Sequence, residues 1–391
     1  MQIINFARLL STFGPAFGRR ILNELAEVLS ASGKKVYRMN TDSFALVLTD
    51  STRVAAESIV GQTLSDVACT RVIDAVPVHV DACAGIAGFP IHEESDPDEL
   101  VRKCIQAQRV ARESDRPWRV YDREHDEGQQ VALALLGDLR PALDRNELEL
   151  HYQPKVAIPT GQVVGFEALI RWRHPARGMV PPGLFIPGAE QTGLIHPLTR
   201  WVLESALNQL RTWQQDGIAT SIAVNLSGRN LMDPAFLGWA SELIAEYDLP
   251  PGSVEFELTE NSLFTDAKSI VDELASLREA GIGLAIDDFG TGYSSLSYLE
   301  QLPVTALKID QSFVKKLENR DGTAATIVRS SIQLAQSLGI RSIAEGVETP
   351  VMAGILKELN CDQLQGYHLA RPMPAGAAAD WWKANRGIWA S

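Results

Sequence analysis

The chain has 391 residues, a length that as a prior holds two or three domains, and is 45% hydrophobic and 22% charged, the mix of an ordinary globular protein. A formal net charge of -13 excludes binding of polymeric nucleic acid by general electrostatics, so a phosphodiester substrate would need some further cation to bring it in. No apolar run is long enough to span a bilayer, no secretory signal stands at Met1, and the four scattered cysteines form no C-x-x-C pair; the expectation is a cytoplasmic protein with buried thiols, a sensor or membrane segment upstream being left open.

In chain order, residues 1–122 mix helical and strand patterns. A helix over 17–29 precedes a hairpin-like pair at 35–38 and 44–48; a strand at 78–87, a helix at 97–114 and a short strand at 118–121 follow. Antiparallel pairing combined with helices predicts a small α+β domain. The acidic stretch 122–130 runs into a helical pattern at 131–143, so 123–146 reads as a helical linker with its charges in solvent. Over 147–391, short apolar runs alternate with amphipathic helices at 198–215, 234–247, 267–280 and 323–338. The strands fall at 148–156, 163–172, 221–226, 254–258, 283–288, 306–310, 341–345 and 363–364. This alternation predicts an α/β fold, a TIM-like (β/α)8 barrel. A doubly wound open sheet is the rival, and it lacks the G-x-G-x-x-G expected after its first strand.

The strand ends carry the chemistry. Glu167, Asn225, Glu257, Asp287 with Asp288, Lys308 with Asp310, and Glu345 each close a predicted strand. In a barrel the C-terminal ends of parallel strands face one pocket, so these side chains converge. Carboxylates gathered that closely raise one another's pKa, and hard divalent cations such as Mg²⁺ or Mn²⁺ resolve the conflict. Two such ions clamp the attacking and leaving oxygens of a phosphodiester. A single acid at a strand end is more often a cap or a solvent contact, but capping does not explain six such ends together. By alternation, Glu149 and Glu255 should point away from the pocket as surface charges.

Glu167-Ala168-Leu169, between Tyr152-Gln153-Pro154 and Ile170-Arg171-Trp172, resembles the signature of EAL-domain phosphodiesterases, which hydrolyse cyclic di-GMP to linear 5′-pGpG. A lone tripeptide is unspecific. The blocks Val224-Asn225-Leu226-Ser227, Glu257-Leu258-Thr259-Glu260, Asp287-Asp288-Phe289-Gly290-Thr291-Gly292-Tyr293-Ser294-Ser295, Leu307-Lys308-Ile309-Asp310, Ala344-Glu345-Gly346-Val347-Glu348-Thr349 and Gln365-Gly366-Tyr367 follow in the family's order across 147–376. The resemblance implies that Glu167, Asn225, Glu257 and Asp287 hold one metal ion, and Asp287, Asp288 and Glu345 the second, two Mg²⁺ or Mn²⁺ per site. It implies Glu345 as general base, Lys308 against the attacking water or transition state, and Asp310 positioning Lys308 or a water. Gln153, Leu169, Arg171, Glu348 and Gln365 would orient the substrate, and Glu260 would anchor the flexible loop 288–295. It further implies a homodimer formed through the barrel. The alternative is an inactive receptor that binds cyclic di-GMP and signals to a protein partner.

Residues 1–122 resemble a degenerate GGDEF (diguanylate cyclase) domain. Val36-Tyr37-Arg38, Phe44-Ala45-Leu46-Val47-Leu48, Gly85-Ile86-Ala87, Pro90 and Asp98-Glu99-Leu100 keep its skeleton. The signature hairpin, however, reads Asn40-Thr41-Asp42-Ser43-Phe44; Leu10 and Ser11 stand where acidic and amide ligands belong, and Ala31 and Lys34 replace the inhibitory R-x-x-D. The expectation is a retained fold without cyclase activity, in a regulatory or structural role.

Overall fold

The computed structural model describes residues 1–31, 33–49, 51–88, 96–264, 267–291, 299–319 and 322–385. Pro90, Gly292, Tyr293, Ser294 and Ser295 lie outside them. The chain divides into two compact units, Met1–Gln130 and Val131–Ser391.

In the first unit, β1 (Gln2–Ile3), β6 (Ala82–Ile86) and β7 (Trp118–Val120) form one sheet, β1 antiparallel and β7 parallel to β6. The hairpins β2 (Lys35–Arg38) with β3 (Phe44–Val47), and β4 (Thr70–Ile73) with β5 (Val76–His79), are antiparallel pairs. Helices α1 (Phe6–Phe13), α2 (Pro15–Ala31), α3 (Arg53–Val67) and α4 (Pro97–Glu113) complete it. The core gathers Phe17, Ile21, Leu25 and Leu29 from one face of α2 with Phe44, Val78 and Ala84 from the strands, the i, i+4 spacing expected of an amphipathic helix. The single strand expected at 78–87 is two, β5 and β6. Asn5 bridges the break: its Nδ2 donates to the His79 carbonyl (2.8 Å) and its Oδ1 accepts from the Asp81 amide (3.1 Å).

Helix α5 (Arg123–Asp144) is continuous through the stretch expected to be a solvated charge run. That expectation fails at Asp126, which is 2% exposed. Arg102 grips both its carboxylate oxygens (3.0 and 2.7 Å) and the Tyr121 hydroxyl donates to it (2.8 Å). The bidentate fork compensates for the lost hydration. Farther along the same helix, Leu135, Leu139 and Ala142 enter the core of the second unit.

The second unit is an eight-stranded closed barrel. Its order is β9 (Val163–His174), β11 (Ser221–Leu226), β12 (Val254–Thr259), β13 (Gly283–Phe289), β14 (Ala306–Ile309), β15 (Arg341–Ala344), β16 (Gln363–Gln365) and β8 (Leu148–Ala157), which returns to β9. The short strands β10 (Gly178–Val180) and β17 (Met373–Pro374) flank β9 and β8. An all-parallel barrel was the expectation. Strand β8 instead runs antiparallel to both neighbours, because residues 158–162 connect it to β9 as a tight turn, far too short for a parallel crossover. Helices such as Ile195–Gln215 and Gly322–Leu338 pack outside, burying Leu203, Leu210, Val328 and Ile332. Among the described residues, no helix is long and apolar enough to cross a membrane.

Gly85 lies where β6 meets α4: a Cβ there would sit 2.0 Å from the Cys104 carbonyl oxygen and 2.3 Å from the Gln108 nitrogen. Both obstacles are backbone, so the helix itself would have to shift. Gly85→Ala should therefore destabilise the N-terminal unit by about 3 kcal/mol, read as a lowered urea midpoint by circular dichroism.

Candidate active site

Strand alternation aims Glu167 of β9, Asn225 of β11, Glu257 of β12 and Lys308 of β14 into the barrel at its C-terminal mouth. Lys308 is fully buried (0% exposed), and its Nζ lies 2.6 Å from Glu257, 2.6 Å from Glu345, 3.1 Å from Asp287 and 3.8 Å from Glu167. Four carboxylates thus face one ammonium. Burial opposes the Lys308 charge, but Asp287, Glu167, Glu257 and Glu345 outweigh it and hold its pKa well above the ordinary lysine value. The acids split according to their partners. Burial works against the Glu167 charge too, yet Lys308 and hydrogen bonds from Gln365 Nε2 (2.5 Å) and Asn225 Nδ2 (2.7 Å) hold its pKa below the usual value. Burial and the neighbouring Glu167 raise Glu257 well above it. Burial, against the pull of Lys308, pushes Glu345 up to about 8.

Successive strand residues normally point to opposite faces, yet Asp287 and Asp288 both reach the cluster. The pairing of β13 with β14 slips between Ile286↔Leu307 and Phe289↔Ile309, so three steps on one strand match two on the other. This is a β-bulge. Asp288 takes φ +54°, a left-handed conformation that aspartate tolerates better than most residues, and its amide donates to Asp287 Oδ1 (2.9 Å). As a result, one oxygen each from Asp287, Asp288 and Glu345 lie within 4.8 Å of one another. Burial and Asp287 push the Asp288 carboxyl up to about 6.

The bulge is tied down next door. The Gly290 amide donates to Glu260 Oε2 (3.0 Å), and Gly290 adopts φ +98°, which favours glycine.

Gln153, Glu167, Leu169, Arg171, Asp287, Glu345, Glu348 and Gln365, all singled out above, line one cavity of about 260 Å³. Gln365 Nε2 also bonds Gln153 Oε1 (3.2 Å), while its own Oε1 is buried without a partner among the described residues. The Asp310 carboxylate accepts from the Ser312 amide (3.0 Å) and helps to raise the neighbouring Asp288 carboxyl. Glu255 is a correction. It is 4% exposed and holds Lys155 (2.6 Å) and Arg341 (2.7 Å), because residues two apart share a face and Glu257 points inward. Glu149 does lie toward the surface, against Arg173 (3.0 Å) and His151 (3.2 Å).

Sequence reasoning passed over Lys155, buried at 2% exposure, and the cavity residues Gln311, Lys315, Tyr367 and Pro372. For Lys155 a signal existed: a lone lysine on the inward phase of β8, two residues after Gln153. Lys315 pairs with Glu348 (2.9 Å), and Arg371 stacks over the Tyr367 ring at 4.2 Å.

The family profile described as EAL domain matches residues 136–372, more than half of the chain. The chain belongs to the EAL family. The profile for the diguanylate cyclase GGDEF domain matches residues 1–117. Among relatives of this EAL protein, the bifunctional diguanylate cyclase/cyclic di-GMP phosphodiesterase MucR of Pseudomonas aeruginosa is 35% identical over 96% of the chain and 55% of its own length. The cyclic di-GMP phosphodiesterase PA2567 of the same organism is 35% identical over 95% and 64%. The cyclic di-GMP phosphodiesterase PdeR of Escherichia coli is 32% identical over 98% and 58%. The chain therefore spans less than two thirds of each. Among solved structures, the PaMucR phosphodiesterase in complex with c-di-GMP is 44% identical with a TM-score of 0.61, covering 63% of this chain and 99% of that one.

Replacing Lys308 with methionine would leave the surrounding carboxylates without their shared counter-charge. Lys308→Met should cost on the order of 3–5 kcal/mol, measured by urea unfolding at neutral pH in the presence of a chelator.

Proposed function

We propose that the barrel is a metal-dependent phosphodiesterase that hydrolyses cyclic di-GMP to linear 5′-pGpG. The observation that carries this reading is the surplus of carboxylates over cations at the mouth: Glu167, Glu257, Asp287 and Glu345 around the single Lys308 ammonium, with Asp288 beside them. An oxygen-rich, anionic donor set of this kind suits hard divalent cations, Mg²⁺ or Mn²⁺. Glu167, Asn225, Glu257 and Asp287 would hold one ion, Asn225 through the oxygen its bond to Glu167 leaves free, and Asp287, Asp288 and Glu345 the second. When bound, such a pair supplies Lewis acidity toward water and phosphate.

The chain's own groups do the rest. Glu345, with a pKa pushed up to about 8, is suited to accept the proton of the attacking water. Lys308 brings a fixed positive charge to the phosphate as negative charge builds on it. Arg171, half-buried at the cavity wall, offers a guanidinium to a phosphate oxygen, while Gln153, Leu169, Glu348 and Gln365 shape the space around the substrate. Asp310 acts through Asp288, and Glu260 through Gly290. In the N-terminal unit, Asp42 of the altered hairpin is occupied by Gln2 Nε2 (2.9 Å) and the Ser43 hydroxyl (2.8 Å). This engagement supports a structural or regulatory GGDEF-like domain without cyclase activity. Residues 1–122, a linker at 123–146 and a barrel at 147–391 form the proposed division, with pairing of barrels as the proposed dimer.

Glu167→Ala should reduce Mg²⁺- or Mn²⁺-dependent hydrolysis of cyclic di-GMP at least 100-fold, scored by chromatography of 5′-pGpG; near-normal turnover would remove Glu167 from the site. Ca²⁺ in place of Mg²⁺ should give little product. Because burial keeps Glu345 protonated below about pH 8, cation binding displaces a proton and strengthens as pH rises toward that value. Calorimetry should show weaker Mn²⁺ binding at about pH 6 than at about pH 8, with proton release; a flat profile would contradict the assignment of Glu345.

A further inference from the structure

Beneath the mouth, the barrel interior holds a second charged layer that the proposed reaction leaves unused. Lys155 enters it from β8, in register with Gly165 of β9. A Cβ at Gly165 would only touch Lys155 Cε (3.6 Å); what it would strike is Ser221 Oγ of the next strand (2.3 Å). The Lys155 ammonium sits 2.6 Å from Glu255 Oε1 and 3.3 Å from Glu257 Oε1. Glu255 gives its other oxygen to Arg341 Nη2 (2.7 Å), and Glu257 gives its other oxygen to Lys308 Nζ (2.6 Å). Basic and acidic side chains therefore alternate from Arg341 at the start of β15 up to Lys308 at the mouth. Lys155 is 2% exposed, and the partners of its ammonium are the acids Glu255 and Glu257.

Among the described residues, Glu257 is the carboxylate that offers one oxygen to Lys155 and the other to Lys308. Gripped from below at Oε1, it has neither a free torsion nor a free choice of which oxygen faces upward. We propose that Lys155 is a positioning residue for divalent-cation binding: its hold on Glu257 Oε1 fixes Oε2 toward the cluster at the mouth. The inference rests on the metal-dependent reading above. Groups that orient a ligand from behind typically affect metal affinity by about 10–100-fold, whereas simple removal of a nearby positive charge would tighten cation binding. The two effects have opposite signs, which makes the test decisive.

The experiment is Mn²⁺ titration calorimetry on the full chain, comparing wild type, Lys155→Met and the double variant Lys155→Met/Glu255→Gln, with cooperative thermal unfolding as the check of fold. Both variants should bind Mn²⁺ about 10–100-fold more weakly and need correspondingly more Mn²⁺ for half-maximal hydrolysis. Unchanged or tighter Mn²⁺ binding in either folded variant overturns the proposal. If the single variant fails to unfold cooperatively, the double variant, which removes one buried cation together with one buried anion, carries the comparison. Failure of both to fold assigns Lys155 to the architecture of the barrel and also overturns it. A wild-type protein that binds no Mn²⁺ would strike the metal reading itself, so the two failures are distinguishable.

Discussion

The barrel is organised around one electrostatic problem: several buried carboxylates share Lys308 as their counter-charge. An ammonium with four acids within 4 Å cannot neutralise them all. The acids respond according to their surroundings. Glu167, braced by the amides of Asn225 and Gln365, stays ionised, while Glu257 and Glu345 are driven toward their protonated forms. A site in this condition has a standing affinity for additional positive charge. The proposed chemistry follows from that imbalance, and the overall acidity of the chain reinforces it at long range.

Two departures from regular geometry build the imbalance. The bulge in β13 turns two consecutive aspartates to the same side, at the cost of a left-handed Asp288, and Glu260 pins the backbone just beyond it through Gly290. The reversal of β8 is the other. Because this strand descends where its neighbours rise, Gln153 stands beside Glu167 and Lys155 lies one inward step lower. A parallel first strand would have placed these side chains at other heights.

The N-terminal unit retains a packed core while its signature hairpin has lost both glycines. Its aspartate accepts from Gln2 of a neighbouring strand instead of standing open, the contact on which the proposed structural or regulatory role draws.

Much of this was legible in the order of residues along the chain. The alternation of apolar runs and amphipathic helices announced the barrel, and the acids closing its strands announced an acidic cluster at one mouth, because strand phase and strand-end position are local properties. Local pattern also carried the EAL resemblance, block by block. What it could not carry was partnership. That Glu255 is sheltered by Lys155 and Arg341, and that Asp126 is buried beneath Arg102, depend on which segments lie side by side after folding. A charged residue looks solvated in a sequence, since the cost of burying it is offset only by a partner, here 24 residues away for Asp126 and 100 for Glu255. The residue types determined what chemistry was available; the closure of the barrel decided which charges meet.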